Sequence, residues 1–518
     1  MVAGQWQTPL GTQQMETLVI DVQRASMMKW PSTPPDDLQE RPLPKPTFGE
    51  TGRPPQMMYL LPEFPGENPV NWRRNMYGMI GHGVKYFDLF IFATAQDAGH
   101  TCDYTDPDDG SYQGIRRGLN EMGMMDDIVA TGTAQPYAAA ALLFSETADI
   151  WWGPITMGAA KRSLYVALRH AQIAVDIVSE GDCEAGALNH YTTLFIVEPQ
   201  VAEAPMQAIS SWVEGGGNLV LTAAAATLNE TNSSSVASAG LLAPAGVKRN
   251  AATWTGTRFS RKNSTIYFVK EQLPWAEQLD TVTPTAHGVQ GGKLGVFGEK
   301  AMVSVGDDGR ADADAVTVLA TFGDGSPAEL RVSAKSGAVT IFNYHPGLSY
   351  FQPATPRRPV DRNAHMDAFT NFIRECTLVI FRIRSLSLTQ RNRCAATEFG
   401  EAVRARKALA EPVGDSAEAR PVVSDEPLVE ASLVTSSAGA LITLVNWSEN
   451  IKTLGAEPKK RVHVTLAKPL PQFKTATLAS CGKLAMAECS PAGPRLNVTT
   501  PGAAFSVDLA IADAIILR

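Results

Sequence analysis

Apolar residues fall in short unbroken runs through the first two thirds of the chain and in alternation toward its end. The run Met57-Met58-Tyr59-Leu60-Leu61 predicts a buried strand. It is followed by a Pro/Gly-rich loop from Pro62 to Pro69, a helix through Trp72, Met76 and Ile80, and a second strand from Tyr86 to Phe92. The Asp-rich stretch Asp97 to Asp109 reads as a loop, and Leu119, Met122 and Met125 recur at helical spacing in a helix from Tyr112 to about Asp127. Strand, helix, strand, helix implies parallel α/β structure.

A second such unit starts at Ala139 to Ser145, whose continuous apolar character predicts a strand covered on both faces. A helix from about Met157 to His170, strands at Ala174–Val178 and Leu194–Val197, a helix from Pro205 to Glu214 stopped by Gly215-Gly216-Gly217, and a strand at Asn218–Thr222 follow. That order predicts a doubly wound, Rossmann- or flavodoxin-like open sheet. Val316–Thr321 and Ala338–Asn343 read as two more of its strands, joined by a hairpin at Gly323-Asp324-Gly325. Beyond residue 427 the pattern changes to short alternating strands at Val429–Thr435, Ala440–Asn446, Arg461–Leu466, Thr475–Leu478 and Ala512–Leu517, which predict a β-sandwich.

Pro31 to Pro55 holds eight prolines and almost no periodic apolar pattern. The expected organisation is therefore an irregular segment over 1–55, α/β units over 56–137, the doubly wound domain over 138–375, a helical linker over 376–426 and the sandwich over 427–518. A length of 518 residues agrees with several cores rather than one. No period of 20 to 50 residues recurs, which leaves a solenoid out.

Composition removes several classes. Apolar residues make up 44% and charged residues 19%, ordinary for a packed globular chain. The balance of 45 Lys and Arg against 53 Asp and Glu, without a basic stripe, argues against nucleic acid as partner. No apolar run reaches the roughly 18 residues of a membrane span, and Met1 to Gln14 has no signal-peptide pattern, so neither a membrane nor a compartment is indicated. Cys102, Cys183, Cys376, Cys394, Cys481 and Cys489 show no metal-binding spacing, and free thiols are expected, with a Cys481–Cys489 bridge as the alternative. No metal and no cofactor is called for. Sequons at Asn229, Asn232, Asn263, Asn446 and Asn497 are no more than chance supplies.

Four blocks together carry a resemblance. They are Phe64-Pro-Gly through Gly81-His82-Gly83 to Phe90; Ser145 to Trp151 with Leu164 to Arg169, Glu198-Pro199 and Ala208 to Gly217; Ala320 to Ala328 with His345 to Tyr350; and Thr443 to Trp447 with Ala512 to Arg518. In this order they resemble the last barrel units, the trimerisation domain and the C-terminal sandwich of the family-42 β-galactosidase-type glycoside hydrolases. The resemblance implies a carbohydrate substrate or ligand, a homo-oligomer, by that likeness a trimer, and retaining hydrolysis by two carboxylates. A closed (β/α)8 barrel takes about 250 residues, so only its end is expected here, without the strand that carries the family's acid/base Glu. The non-catalytic alternative is an oligomerisation or sugar-binding protein derived from such an enzyme.

Glu63 follows a strand end, where barrel active sites are built, and is the candidate nucleophile, set against a solvated loop carboxylate. Phe92 and His100 fall where the resemblance places an aromatic platform and a sugar-contacting loop, although the family's Glu-x-x-His pattern is absent. His82 is expected to serve backbone groups at a helix end. An amidotransferase-like reading needs a nucleophile after the strand Leu219 to Thr222, but Ala223-Ala224-Ala225-Ala226 stands there. A dinucleotide site needs glycines in the turn at Ser145 to Asp149, and there are none.

Overall fold

The computed structural model describes residues 14–26, 69–89, 111–134, 139–249, 278–306, 315–351, 403–450, 458–470, 472–480 and 504–518, with short strands at 2–3, 28–29, 47–48, 57–60, 455–456 and 498–500. Its architecture is mixed α/β, with one large parallel-rich sheet and additional antiparallel sheets. Three short strands, β1 (Val2–Ala3), β2 (Met57–Leu60) and β3 (Tyr86–Leu89), pair in parallel in the order β1-β2-β3. Helix α2 (Pro69–Gly81) connects the last two, as the apolar pattern predicted. The expectation of an irregular segment over 1–55 needs correction, because Met15–Ser26 forms a helix, α1. Its apolar pattern is broken by Asp21 and Arg24, which are themselves buried against distant partners. Helices α3 (Ser111–Gly123) and α4 (Asp126–Thr131) divide what reads in sequence as one helix.

The large sheet is formed by β4 (Ala140–Phe144), β5 (Val175–Ser179), β6 (Thr193–Ile196), β7 (Asn218–Thr222), β8 (Asp280–Pro284), β9 (Leu294–Val296), β10 (Val316–Thr321), β11 (Pro327–Ala334) and β12 (Gly337–Phe342). Among the described residues their order is β9-β8-β10-β11-β12-β7-β6-β4-β5. The five strands from β12 to β5 run parallel, and the rest are antiparallel. The 323–325 turn leads from β10 into β11, a strand absent from the sequence reading, and not into β12.

Successive residues of the parallel strands feed two different cores. Ala140, Leu142, Phe195 and Val220 pack with Leu164, Tyr165 and Leu168 of α5 (Glu146–His170) on one side. Ala141, Leu143, Leu194, Ile196, Leu219 and Leu221 pack with Met206, Ile209 and Val213 of α6 (Glu203–Glu214) on the other. Burial on both faces is why these strands read as unbroken apolar runs. The first core also takes Leu348 and Tyr350 of α7 (Pro346–Phe351), Ala405, Ala408 and Leu409 of α8 (Val403–Ala410), and Leu18 of α1. Helix α5 starts at Ser145, whose Oγ accepts the Ala148 N–H as an N-cap, well before Met157.

Two antiparallel sheets follow. One orders β13 (Val422–Ser424), β16 (Lys459–Leu466), β19 (Ala504–Leu509) and β18 (Val498–Thr500) as β13-β16-β19-β18. The other runs β17 (Ala476–Leu478), β20 (Ala512–Leu517), β15 (Ala440–Asn446), β14 (Val429–Thr435) and then the short strand Thr133–Ala134. Val429, Ala431, Ile442, Leu444, Val462, Val464, Phe505 and Ile515 from both sheets share one core. The opposite face of the second sheet, through Leu441, Val445 and Ile516, meets Tyr77 and Ile80 of α2 and Ile128 of α4. The segment Met57 to Phe92, where described, therefore rests through α2 on residues of 429–517 rather than on 139–222. The apolar side of α2 finds its match on that sheet.

Candidate functional site

Glu63, Phe92 and His100 lie outside the described residues. Within them, the densest polar chemistry sits where α1, α2, α5 and strands β5 and β14 converge. Alternation along β14 sends Val429 and Ala431 into the core between the antiparallel sheets and turns Glu430 and Ser432 toward the helices. Glu430 is buried and fully engaged. Its Oε1 lies 2.8 Å from His82 Nε2 and accepts Arg169 Nε at 2.8 Å, while Oε2 accepts Trp447 Nε1 at 2.7 Å and Gln14 Nε2 at 2.9 Å. The other ring nitrogen of His82, Nδ1, lies 2.8 Å from Asp21 Oδ1. Tyr165 donates to Asp21 Oδ2 at 2.6 Å, Arg24 donates to Asp176 at 2.9 Å, and Tyr191 donates to Asp176 at 3.1 Å.

The Gly81-His82-Gly83 motif makes this convergence possible. A Cβ at Gly81 would collide with Thr443 Oγ1 and the Ser432 side chain, so the helix end closes onto the sheet only without a side chain there. Gly83 takes φ +95°, which ends α2 and leaves His82 at its tip. The His82 side chain reaches two carboxylates instead of the backbone groups expected for it. Gly81→Ala is expected to cost about 1–3 kcal/mol through overpacking. A denaturation midpoint equal to wild type would contradict that close approach.

Opposing effects set the ionisation of these groups. Burial would raise the Glu430 carboxyl, but Arg169 and His82 outweigh it and hold it far below the usual carboxylate range. Burial likewise opposes ionised Asp21, yet His82 and Arg24 keep it low. Burial pushes the next histidine, His170, down to about 3, with Arg406 adding to the effect, so it is neutral. Asp21, Arg24, His82, Arg169 and Asp176 border a cavity of about 30 Å³. That space admits water and excludes a sugar ring.

A second concentration lies at the carboxyl ends of the parallel strands. Glu180 accepts from Ser145 Oγ at 3.1 Å, Thr147 Oγ1 at 2.8 Å and the Ala202 N–H at 2.9 Å, and Lys161 pairs with fully buried Glu198. The turn after β7 has the strained form of a nucleophile elbow, with Ala223 at φ +45°, but it presents a methyl group. Thr222 Oγ1 stands 3.3 Å from His345 Nδ1, and His345 Nε2 stands 3.1 Å from Glu299 Oε2. All three are buried, and Arg249 donates to the carbonyls of Ala223 and Ala225, so the row ties the turn down. The turn at Ser145 carries side chains throughout and caps α5, which leaves no bare backbone for a pyrophosphate. Among the described residues no cluster of three His, Cys, Asp or Glu is placed to hold a metal ion, and no helix is long and apolar enough to cross a membrane. Cys183 is a free, buried thiol whose pKa burial raises; Cys481 and Cys489 lie outside the described residues.

The junction residues were missed in sequence, although a signal exists. Glu430, Asp176 and Arg169 are charges inside or at the end of otherwise apolar runs, where a charge is buried only with a partner.

No family profile and no curated protein matches the chain. Its fold is that of a class of solved glycoside hydrolases. The chain aligns over 99% of its length with a GH42 β-galactosidase from G. stearothermophilus, at 11% identity and TM-score 0.54, covering 58% of that enzyme. A β-galactosidase from Bacillus circulans sp. alkalophilus aligns over 89% of this chain and 56% of its own, at 12% identity and TM-score 0.54. The cold-adapted β-galactosidase from Rahnella sp. R3 aligns over 99% and 58%, at 14% identity and TM-score 0.52. At such identities the likeness is one of fold. The chain spans somewhat more than half the length of these enzymes.

Proposed function

We propose that the chain is a β-galactosidase-like glycoside hydrolase framework corresponding to the C-terminal portion of the GH42 enzymes. The single observation that carries this reading is the alignment of 99% of the chain with a GH42 β-galactosidase. In this reading residues 56–137 are the end of a TIM-barrel-like domain, 138–375 a doubly wound trimerisation-like domain, 376–426 a linker and 427–518 a β-sandwich. The parallel arrangement of β1 to β3, the five parallel strands from β12 to β5 and the shared core of two antiparallel sheets support that division. Glu63 is the proposed nucleophile, with Phe92 and His100 as proposed sugar contacts, and no cofactor takes part.

The 518-residue polypeptide is expected not to hydrolyse a nitrophenyl β-galactoside above the buffer rate. Its sequence offers Glu63 no acid/base partner on the proposed barrel strands, and acid assistance alone is typically worth about 10²–10⁴-fold. Turnover abolished by Glu63→Gln would overturn that expectation while upholding the hydrolase assignment. Galactoside binding by calorimetry without turnover fits the proposal, and the absence of both binding and turnover counts against it. Self-association, as a trimer of 55.6 kDa chains, is expected in light scattering. A species of 55.6 kDa alone at micromolar concentration would remove the trimerisation-like role from residues 138–375.

A further inference from the structure

We propose that His82 is a pH-sensitive latch, which as an imidazolium fastens helix α1 and strand β14 to the end of α2 and on losing its proton lets α1 detach. Both ring nitrogens are 2.8 Å from carboxylate oxygens, of Asp21 on α1 and of Glu430 on β14. A neutral imidazole has one N–H and must turn a lone pair toward one of these oxygens; an imidazolium donates to both.

Charge counting gives the same answer. Asp21 and Arg24 come from α1, Arg169 from α5, Asp176 from β5 and Glu430 from β14. Three carboxylates thus face two guanidinium groups, and a charged His82 completes the balance. The remaining titratable neighbours do not alter it. Tyr165 and Tyr191 donate from hydroxyls that burial holds well above their ordinary range, and His170 is neutral. On α2, Arg73 turns away to Glu121 and Arg74 to the Ser448 carbonyl, while Arg406 of α8 donates to the His170 carbonyl. Burial works against the imidazolium, but Asp21 and then Glu430 outweigh it and raise the His82 pKa above 6.5.

The sign of the dependence follows. A group whose pKa is higher folded than unfolded contributes fully below the unfolded value, about 6.5, and its contribution is lost as pH rises through the folded one. His170 has the opposite sign and matters only below about 6.5, and the Cys183 thiol enters near its unfolded value of 9.0. Above about 6.5, therefore, the change at the junction comes from His82 and not from His170.

Helix α1 is the element at stake. Besides Leu18, Ile20 and the partly buried Val22 and Ala25, it is held by Asp21 on His82 and Tyr165, by Arg24 on Asp176, and by the preceding Gln14 on Glu430 and His170. The cavity beside His82 gives its proton a route through water.

The test uses the full chain. With ¹³C-labelled histidine, one of the eight imidazoles is expected to stay protonated beyond pH 6.5, and its signal to be absent from His82→Gln. Hydrogen exchange of α1 amides, corrected for the intrinsic rate, is expected to speed up at least about tenfold from pH 6.5 to 8, with amides of β6 and β7 unchanged. In Glu430→Gln, which removes one of the two carboxylates, the midpoint should move to lower pH. If a variant does not fold, the two wild-type measurements decide. Eight histidines titrating at or below 6.5, or α1 exchange that is flat with pH, would overturn the latch.

Discussion

Glu430→Ala is expected to lower the stability of the chain by about 3–5 kcal/mol, the range for removing one partner from a buried ion pair. The charge lies on β14, is 4% exposed and meets Arg169, His82, Trp447 and Gln14 from four separate segments. Its removal takes from buried Arg169 the carboxylate that it touches, leaving its bond to Ser432 Oγ at 2.9 Å, and deprives His82 of one acceptor. Urea unfolding followed by tryptophan fluorescence measures the effect. A loss below about 1 kcal/mol would mean that Arg169 reaches water or a new anion in the variant. The exposed pair of Lys335 with Glu214 is a control: Lys335 is 68% exposed, and Lys335→Ala should cost less than about 1 kcal/mol.

Phe195→Ala should be as damaging for a different reason. Phe195 is fully buried in the middle of β6, flanked across the sheet by Leu142 of β4 and Val220 of β7 on the same face. Strands on both sides and α5 above restrict collapse of the void, so the cost should be about 3–5 kcal/mol. The same denaturation experiment checks it. Phe195→Leu, which keeps most of the volume, should lose much less, and equal losses in the two variants would argue against a cavity as the cause.

What could be read in the sequence follows from how local its cause is. Asn218–Thr222, Val429–Thr435, Ala440–Asn446 and Ala512–Leu517 were placed correctly, because apolar continuity or alternation within each segment is enough to specify a strand. Strand β11 obeys that rule, with Ala328, Leu330, Val332 and Ala334 alternating with Glu329, Arg331 and Ser333, and its signal was overlooked; only the burial of Glu329 departs from the pattern. Glu329 is buried because Arg404, far away in sequence, and Tyr344, just past the end of the next strand, donate to it at 2.8 and 2.6 Å. Helix α1 escapes notice in the same way, since Asp21 and Arg24, besides pairing with each other, find their partners at the end of α2, on α5 and on β5. The junction follows suit: His82 stood out as part of a Gly-His-Gly motif, but nothing near it in sequence names Asp21 or Glu430. For Glu63, Phe92 and His100 the reading depended on the family resemblance throughout, and they remain proposals.

The central sheet's first core takes Leu18 from one side of the sequence and Ala405, Leu409, Val413 and Ala419 from the other, around strands that end at residue 342. In the same manner, α2 packs beneath strands β15 and β20, and β20 runs over 512–517. On a ribosome, where residues emerge in order, neither core can close when its own strands and helices have appeared. The α5 side of the sheet waits for residues 403–419, and α2 waits for nearly everything that follows it. Nascent chains stalled between residues 350 and 400 should therefore carry exposed apolar surface that chaperones bind, and lose it once α8 has left the exit tunnel.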